Sequence, residues 1–353
     1  MKKIVLTGGG TAGHVTPNIA LIPTLQEAGY EVHYIGSYEG IEKSLISELG
    51  IPYYGISSGK LRRYLSAKNF TDPFRVIKGF SQAKQLMKEI KPDIVFSKGG
   101  FVTVPVVKAA ASRNIPVIIH ESDMTPGLAN KLCNKHAMKV CCNFPETVEL
   151  FPKGKAMLTG SPIRKELTSG DRACGLNLCN FTTDKPVIMI IGGSLGAQRI
   201  NEAIRSILPK LLERYQIIHV CVKGKMDESL IGTKGYSQFE YVKDDLKHLF
   251  AAADVVISRA GANVICELLA LRKPALLIPL SAKASRGDQI LNAKSFKKQG
   301  YCDVMEEEDI TDDGLLDTIN AIYDNRDKYI ESMNSSTLND AINSIVNLIN
   351  QLS

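Results

Sequence analysis

Two glycine-rich turns, each placed directly after an apolar run, constrain the fold of this chain more than any other feature. The first turn, Gly8 to Gly13, follows the run Lys3–Thr7, and the second, Gly192 to Gly196, follows the run Pro186–Ile191. A strand, a glycine turn and a helix N-terminus together form a site for an anion, because unpaired N–H groups and the helix dipole point at one place. The repetition predicts two similar domains.

Strand-like and helix-like runs alternate along the whole chain. This alternation is typical of parallel sheets that carry helices on both faces. The predicted fold class is therefore α/β, with two Rossmann-like domains that face each other across a cleft. A ligand would be held there by the loops at the carboxyl ends of the strands.

The chain is long enough, at 353 residues, for two domains with a substantial core in each. We read Gly160–Arg164 as the linker, and we therefore assign residues 1–162 to the first domain and residues 163–336 to the second. The last segment with helical apolar spacing, residues 337–353, is predicted to cross back and pack on the first domain.

Short apolar runs along the chain are predicted to be the strands of the two sheets. They are Lys3–Thr7, Glu31–Ile35, Tyr53–Ile56, Asp93–Ser97, Pro116–His120, Lys139–Cys142, Ala156–Thr159, Pro186–Ile191, Ile217–Val222, Phe239–Val242, Asp254–Ser258 and Pro274–Pro279.

The composition is that of a soluble globular protein, with 44% hydrophobic and 23% charged residues. No apolar run approaches the roughly 18 to 20 residues that span a bilayer. The run Met1–Thr7 reads as a first strand and not as a signal peptide. The eight cysteines contain no C-x-x-C pair, and a reducing cytoplasm is their natural compartment. Cys174 and Cys179 have no histidine nearby, so we predict no metal site.

The net charge of +6 is concentrated in one segment, since residues 60–91 contain nine Lys and Arg but two Asp and Glu. Apolar residues recur there at helical spacing after Pro73. An exposed edge of Phe74, Ile77 and Phe80 beside these basic residues would suit an anionic membrane surface. The alternative is a solvated basic face on an ordinary core helix. No nucleic-acid-binding signature occurs, so we predict no nucleic acid partner.

The first glycine turn matches the dinucleotide fingerprint G-x-G-x-x-G at Gly8, Gly10 and Gly13. That fingerprint also requires an acidic residue at the end of the second strand, and Glu39 lies too far along the chain. The match is therefore weak evidence for a nicotinamide cofactor. His14, which follows the turn, is either a cap or core residue or a general base presented to the cleft.

Two further polar loops follow first-domain strands and should lie at the same edge. Gly99 and Gly100 are candidates to cradle a phosphate group, while Glu121 and Asp123 supply carboxylates. The alternative for Glu121 is a structural role as a cap of the following helix.

The second domain contains the stretch Asp254–Ala293, in which a strand, a small-residue turn and a helix follow one another. Glu267 lies one turn inside that helix and can reach a ribose hydroxyl pair. Ser194 in the second glycine turn offers a hydroxyl and an N–H that suit a phosphate. An ordinary βαβ unit with a polar rim is the alternative. The absence of G-x-x-x-x-G-K-[ST] argues against a P-loop NTPase.

Taken together and in order, these motifs resemble the MurG family of bacterial N-acetylglucosaminyltransferases. The similarity covers essentially the whole chain, and the six motifs in register are specific as a set. They are Gly8–His14, Lys98–Phe101, His120–Asp123 with Gly127–Lys131, Gly160–Arg164, Gly192–Ala197 and Arg259–Ala262.

The resemblance implies a GT-B fold and the transfer of GlcNAc, with inversion, from UDP-GlcNAc to the C4 hydroxyl of MurNAc in lipid I. The product would be lipid II in peptidoglycan synthesis, and the protein would be peripheral at the cytoplasmic face of the cell membrane. It implies UDP-GlcNAc as donor and no tightly bound cofactor, and it leaves Mg²⁺ dependence open. Cell-wall synthesis and division proteins are implied partners besides lipid I.

The resemblance also implies roles for individual residues. The base would be His14, with Glu121 or Asp123 as substitutes. The acceptor diphosphate would lie at Gly9, Gly10, Gly99 and Gly100. The residues implied for UDP-GlcNAc are Thr11, Ala12, Gly13, Arg164, Ser194, Val242, Lys243, Ala262, Asn263, Val264, Glu267, Asp288 and Gln289.

The chain departs from the family pattern in three ways, one of which is that the aromatic residues near the membrane are only partly matched, since it contains no Trp. Asp123 stands where many relatives have Asn, and Asp288 stands where they often have Gln, so Gln289 is the better candidate of the latter pair. Two other enzymes fit parts of the sequence: a soluble UDP-GlcNAc 2-epimerase and a nicotinamide-dependent oxidoreductase. A non-catalytic sugar-nucleotide-binding protein is the remaining alternative.

Overall fold

The computed structural model describes residues 1–59, 68–192, 197–283 and 287–353. The chain divides into two compact units. The first consists of Met1–Arg164 together with Asp340–Ser353, and the second consists of Lys165–Asn339. Residues 340–353 thus belong to the same unit as the N-terminal segment.

The first unit contains a seven-stranded sheet in the order β3-β2-β1-β4-β5-β6-β7, in which every pairing is parallel. The order of the strands reverses between β1 and β4, so the loops after these two strands diverge and leave a crevice at their carboxyl ends. The strands are β1 Lys2–Thr7, β2 Tyr30–Ser37, β3 Tyr53–Ile56, β4 Ile94–Ser97, β5 Val117–Glu121, β6 Lys139–Cys142 and β7 Ala156–Leu158.

Helices cover both faces of this sheet, because successive side chains of each strand point to opposite faces. Val5 packs in one core cluster with residues of helices α3 and α4, while Ile4 and Leu6 pack in the other with residues of α1 and α15. The helices of the first unit are α1 Thr16–Glu27, α2 Ile41–Ser47, α3 Lys68–Ile90, α4 Thr103–Ala111, α5 Leu128–Cys133, α6 Pro145–Val148 and, after the second unit, α15 Ala341–Leu352.

The second unit contains a six-stranded parallel sheet in the order β10-β9-β8-β11-β12-β13, and its order reverses between β8 and β11. Its strands are β8 Val187–Ile191, β9 Gln216–Val220, β10 Tyr236–Phe239, β11 Val255–Ser258, β12 Ala275–Leu277 and β13 Asp303–Val304. Its helices are α7 Arg172–Leu178, α8 Gln198–Ser206, α9 Leu208–Arg214, α10 Leu246–Ala252, α11 Ala262–Ala270, α12 Asp288–Lys298, α13 Asp312–Asp324 and α14 Arg326–Asn334.

The apolar runs locate the strands to within a few residues, with two differences. The strand predicted at Phe239–Val242 lies earlier, at Tyr236–Phe239, and the short strand β13 was not predicted. Helix α7 was also missed, because its sequence is polar and lacks clear periodicity. Its signal is the N-cap Asp171, whose carboxylate accepts the N–H of Cys174 at 2.7 Å.

Helix α3 carries the apolar positions of the basic segment, of which residues 60–67 lie outside the described chain. Phe74 and Ile77 are 75% and 66% exposed. Phe80 was expected on the same exposed edge, and that expectation is wrong. Its ring packs against the core cluster that contains Ala83, because Phe80 lies on the inward side of the helix. No helix among the described residues is long and apolar enough to cross a membrane.

Most of the cysteines are buried in the two units. Cys133, Cys141, Cys142, Cys221 and Cys266 are buried, where Cys behaves as a small hydrophobic residue. The described part of the chain contains no cluster of three or more metal-ligating side chains.

Candidate active site

Hydrogen bonds from side chains of α1 and β2 hold the first glycine turn, which lies at the carboxyl end of β1. The buried Asn18 of α1 donates to the carbonyl of Thr7, and the hydroxyl of Tyr34 donates to the carbonyl of Gly8 at 2.8 Å. Burial raises the pKa of this tyrosine above its ordinary value, so its hydroxyl remains a donor. These bonds hold the start of the turn in one conformation.

The glycine turn touches the loop after β4, which is the other side of the crevice. The N–H of Gly9 donates to the carbonyl of Gly99 at 3.3 Å. A Cβ at Gly100, where φ is +91°, would lie 2.2 Å from the carbonyl oxygen of Gly9, so this approach requires glycine. The structure therefore brings together Gly9, Gly10, Gly99 and Gly100, the four glycines predicted for the acceptor diphosphate.

A buried carboxylate that sequence reasoning missed lies beneath this turn. Glu42, in the first turn of α2, is fully buried, and its Oε2 accepts the N–H of Gly10 at 3.1 Å. Its Oε1 accepts both the N–H and the hydroxyl of Ser37, at 3.0 and 2.5 Å. No motif marks Glu42, which is one of two acidic residues, with Glu39, shortly after the end of β2. The N–H groups of Gly9 and Gly10 therefore both donate hydrogen bonds within the protein, to the carbonyl of Gly99 and to Glu42.

His14 is the last residue of a 3-10 turn, Ala12–His14, that precedes α1. Its side chain is half-buried, and Nδ1 lies 3.1 Å from the carbonyl oxygen of Gly9 and 3.2 Å from Oγ1 of Thr11. A carbonyl oxygen only accepts, so the neutral ring carries its proton on Nδ1 and its lone pair on Nε2. Thr11 and Ala12 are exposed, and Gly13 is half-buried.

A second histidine of the first unit has a different environment. His120, at the end of β5, is fully buried between Lys98 Nζ, 2.9 Å from Nδ1, and the carbonyl of Gly160, 2.9 Å from Nε2. Burial, followed by the charge of Lys98, lowers the pKa of His120 well below its ordinary value. This neutral histidine accepts from the ammonium and donates to the carbonyl, and so ties β4 and β5 to the segment after β7.

Glu121, which follows His120, supports a loop rather than facing solvent. Its carboxylate accepts the N–H groups of Asp123 and Gly127, at 3.1 and 3.0 Å, and the side-chain amide of Asn130 at 2.8 Å. Burial raises the pKa of Glu121, and these hydrogen bonds oppose the rise. Asp123 is half-buried in the same loop.

In the second unit, a buried polar chain connects helix α8 to strands β9 and β10. Ser194, the predicted phosphate ligand, lies outside the described residues. Asn201 of α8 donates to the carbonyl of Cys221 at 3.0 Å and accepts from Nε2 of His219 at 3.0 Å. The hydroxyl of Tyr236 donates to Nδ1 of this histidine at 2.8 Å. Burial, reinforced by the charge of Arg205, lowers the pKa of His219 to about 3.

Arg259 begins the small-residue turn after β11 and is 5% exposed. Its guanidinium donates to the carbonyls of Ile278 and Pro279, at 3.2 and 3.3 Å, and to the carboxylate of Glu307 at 2.6 Å. One side chain therefore fixes the turn after β11 against the end of β12. Sequence reasoning identified Arg259 as part of a motif but gave it no role.

The helices that follow strands β11 and β12 carry six of the thirteen predicted donor-site residues. Ala262 is buried and Asn263, Val264 and Glu267 are half-buried on α11. Asn292 of α12 donates to the carbonyl of Ala260 at 3.3 Å, which holds α12 beside the turn that leads into α11.

The start of α12 is tied to the loop after β12. The side-chain carbonyl of Gln289 accepts the N–H of Leu280 at 3.0 Å. Asp288 is the first residue of the helix, directly after Gly287 with a φ of +81°. Among the remaining predicted ligands, Val242 and Arg164 are half-buried and Lys243 is exposed.

Family models and curated relatives match this protein over nearly all of its length. The glycosyltransferase family 28 N-terminal domain matches residues 4–142, and the family 28 C-terminal domain matches residues 187–351. A protein of Lachnospira eligens is 68% identical over 349 residues, and one of Lachnoclostridium phytofermentans is 64% identical over 352; each alignment covers at least 99% of both chains. Both are named UDP-N-acetylglucosamine--N-acetylmuramyl-(pentapeptide) pyrophosphoryl-undecaprenol N-acetylglucosamine transferase.

A solved structure points to the same family. The crystal structure of MurG from Acinetobacter baumannii is 28% identical, with a TM-score of 0.77, over 99% of this chain and 100% of that one. The chain belongs to the MurG family of glycosyltransferases. The family resemblance and the α/β fold class of two Rossmann-like GT-B domains, both predicted from the sequence, are confirmed.

Within this family, the predicted site residues of the chain form two groups. The first surrounds the crevice between β1 and β4 and includes His14 and the four glycines. The second lies around the turns after β11 and β12 and includes Glu267 and Gln289. The individual roles of these residues stay predictions.

Proposed function

We infer that this protein is an inverting N-acetylglucosaminyltransferase that moves GlcNAc from UDP-GlcNAc to the C4 hydroxyl of MurNAc in lipid I. The products are lipid II and UDP, and the reaction belongs to peptidoglycan synthesis. The observation that carries this conclusion is the 68% identity to a transferase of that name over 99% of both chains. The crevice between β1 and β4, with its histidine and paired glycine loops, supplies chemistry that fits the reaction.

The oxidoreductase alternative loses its basis at the end of β2. A dinucleotide site needs an acidic side chain there to bind the ribose. In this protein Glu39 is exposed beyond the strand, and Glu42 is fully buried beneath the glycine turn. The 2-epimerase alternative shares the fold class, and the two activities are separated by whether the reaction depends on a lipid acceptor.

His14 is our proposed general base. The lone pair on Nε2 would take the proton of the acceptor hydroxyl while that oxygen forms a bond to C1 of GlcNAc. The bond from C1 to the phosphate oxygen breaks, and its electron pair leaves with UDP. The hydrogen bond from Nδ1 to the carbonyl of Gly9 supports this role, because it fixes the tautomer in which Nε2 can accept a proton.

The donor would be held by the second unit, in which the order of the parallel sheet reverses between β8 and β11 and favours a ligand site at the carboxyl ends of these strands. Glu267 would bind the ribose, backbone groups at Val242 and Lys243 would bind the uracil, and Ser194 with Arg164 would stabilise the charge of the departing diphosphate. The remaining donor ligands that we propose are Thr11, Ala12, Gly13, Ala262, Asn263, Val264, Asp288 and Gln289.

The acceptor diphosphate would lie at the paired glycine loops. Because the N–H groups of Gly9 and Gly10 already donate to Gly99 and Glu42, we assign direct N–H contacts to Gly99 and Gly100. Gly9 and Gly10 would contribute by leaving room for the ligand. We propose no tightly bound cofactor.

The acceptor is a lipid, and helix α3 offers a surface on which a membrane could be bound. Phe74 and Ile77 are exposed on it beside Arg75 and Lys78, which are also exposed. Apolar side chains next to cations bind an anionic interface by inserting into it while the cations meet the headgroups. We therefore propose that the protein is peripheral at the cytoplasmic face of the cell membrane and contacts other cell-wall synthesis and division proteins there.

The test is the release of UDP from UDP-GlcNAc, with and without a lipid-linked MurNAc-pentapeptide acceptor. We expect release that depends on the acceptor, with GlcNAc appearing on the lipid. Interconversion of UDP-sugars without acceptor would show an epimerase instead. If neither UDP nor glycolipid forms in either condition, the proposed reaction is wrong.

A further inference from the structure

The burial of Glu42 requires an explanation, because a charged side chain is ordinarily exposed to solvent. Its carboxylate is fully buried, yet each oxygen has a partner: Oε1 accepts from Ser37 at the end of β2, and Oε2 accepts the N–H of Gly10. Use of both oxygens as acceptors is the behaviour of an ionised carboxylate. Burying such a group is costly unless its hydrogen bonds are made, so a simple filler would be apolar.

The N–H of Gly10 and the carbonyl of Gly9 belong to the same peptide group. Its N–H donates to Oε2 of Glu42 at 3.1 Å, and its carbonyl lies 3.1 Å from Nδ1 of His14. A single planar peptide therefore connects the buried carboxylate to the imidazole. The orientation of that plane decides whether the carbonyl reaches the ring.

The surroundings of the peptide are shaped for this contact. A Cβ at Gly9 would lie 2.5 Å from Oε1 of Glu42, and one at Gly40 would lie 2.2 Å from each carboxylate oxygen. The absence of side chains at these two positions is what allows the carboxylate to reach the peptide. On the opposite side, Gly100 leaves room for the carbonyl of Gly9, as described above.

Hydrogen bonds in such a chain strengthen one another. An anion that accepts from the N–H of a peptide polarises that peptide, and its carbonyl becomes a better acceptor. The carbonyl of Gly9 then holds the proton on Nδ1 of His14 more firmly, and it stabilises the imidazolium that forms when Nε2 takes a second proton. The arrangement resembles a carboxylate that orients a histidine directly, with one peptide group inserted between them.

We propose that Glu42 is a positioning residue that acts on His14 through the Gly9–Gly10 peptide and sets the tautomer in which Nε2 is the basic atom. This inference rests on the proposed role of His14 as the base.

The test is Glu42→Gln, with Glu39→Gln as the matched control. Glutamine offers one acceptor oxygen and one NH₂ donor, so either Gly10 or Ser37 loses its acceptor. We expect kcat to fall about 10- to 100-fold, as for the loss of a hydrogen bond to a charged group, while KM for UDP-GlcNAc stays unchanged. Glu39 is exposed in the loop that precedes α2, and Glu39→Gln should remove the same charge without an effect on kcat.

Two readouts separate positioning from a general loss of structure. In nitrogen NMR, the His14 signal, assigned by its absence in His14→Ala, should show the Nδ1–H tautomer in the natural protein and a larger Nε2–H fraction in Glu42→Gln. In a double-mutant cycle, Glu42→Gln should cost nothing further once His14 is alanine, because its effect passes through His14.

The outcomes are distinct for the two proposals. If His14→Ala retains its activity, the assignment of the base fails, and the tautomer in Glu42→Gln still decides whether Glu42 positions the ring. If His14→Ala lowers kcat as expected but the effects of the two changes are additive, or if the tautomer does not shift, only the inference about Glu42 is overturned. Should Glu42→Gln not fold, Glu42→Asp keeps the charge and shortens the reach, and the same lack of additivity is expected.

Discussion

In the first unit the turn after β1 rests on a buried carboxylate, Glu42, whereas in the second unit the turn after β11 is fixed by a buried guanidinium, Arg259. Both turns border the point at which the order of a parallel sheet reverses, although they follow strands on opposite sides of it, since β1 corresponds to β8 and β11 corresponds to β4. The groups beneath them nevertheless have opposite charge.

This difference matches the two halves of a glycosyl transfer. The acceptor hydroxyl must lose a proton, and a negative group behind the base favours that step. The leaving nucleotide gains negative charge, and a cation near its site favours that one. On the proposed roles, one fold used twice would supply a basic edge in the first unit and a nucleotide-binding edge in the second, where the guanidinium of Arg259 is itself paired with Glu307.

The largest effect is expected at the first edge. His14→Ala should lower kcat by about 10²- to 10⁴-fold, the usual cost of losing a general base, with KM for UDP-GlcNAc unchanged. Steady-state UDP release with saturating acceptor measures this. The matched control is His136→Ala, a histidine that lies away from the glycine turn at the end of a 3-10 segment. A His14→Ala variant that keeps more than about a tenth of natural turnover would show that His14 is not the general base, and the first unit would then have no basic edge of this kind.

At the second edge, the largest effect should be on stability. Arg259→Met leaves the carboxylate of Glu307, whose side chain is 13% exposed, without its cation; breaking a buried pair typically costs about 3–5 kcal/mol. The urea midpoint of the second unit should fall accordingly. Lys210→Met, which removes an exposed ion pair with Asp313, is the control and should leave the midpoint unchanged. Equal midpoints for both variants would show that Arg259 does not fix the turn.

Glu267→Gln should affect donor binding and little else. Loss of a charged hydrogen bond to the ribose is expected to raise KM for UDP-GlcNAc by about 10- to 100-fold with kcat nearly unchanged. Initial rates at varied UDP-GlcNAc concentration measure the change, and Glu331→Gln on the exposed part of α14 is the control. A fall in kcat without a change in KM would place Glu267 on the catalytic rather than the binding side.

Binding to a membrane should depend on the exposed apolar side chains of α3 in the first unit. Replacing Phe74 and Ile77 by Ser should weaken binding to vesicles of anionic lipid at low salt by roughly tenfold per side chain. The control is Ile231→Ser, an apolar residue of the second unit that is 65% exposed. Co-sedimentation measures both. If the natural protein does not co-sediment, or if Ile231→Ser is equally weakened, the proposed surface on α3 is wrong.

The smallest effect concerns the buried histidine of the second unit. Since burial holds the pKa of folded His219 near 3, while the unfolded residue titrates near 6.5, protons bind the unfolded state more strongly in that interval. His219 should therefore lower the free energy of unfolding by about 1.4 kcal/mol per pH unit as the pH falls from about 6 to 4. In His219→Gln this contribution to the pH dependence of the free energy of unfolding should be absent. If urea unfolding shows the same pH dependence in both proteins, His219 is not held neutral in the folded state.

The sequence was sufficient for the family and for all strands except the displaced β10 and the short β13, because apolar runs and glycine turns are local signals. The sequence alone does not determine which face of helix α3 packs against the core. Helical spacing indicates that some of its apolar residues face outward, but only the packing on the sheet shows that Phe80 contacts the core. The missed helix α7 had a local signal in Asp171, which was overlooked because the segment is polar.

The candidate site was predictable only in its outline. Glycines and His14 lie next to one another in sequence and could be read as a motif. Glu42 is separated from Gly10 by a helix and a strand, and its role exists only because β1 and β2 are neighbours. Similarly, Arg259 meets Glu307 across 48 positions of the chain. Polar networks beneath loops are made by tertiary structure, so a single sequence does not reveal them.

The return of α15 to the first unit has a consequence for biosynthesis. Its side chains Ile345, Val346 and Ile349 complete the core cluster that also contains Ile4 and Leu21. During translation the sheet of the first unit is made early, but one of its faces lacks this cover until the entire second unit has been synthesised. The unit that emerges first from the ribosome is therefore the last to bury its apolar surface, and its exposed face requires protection from aggregation in the interval.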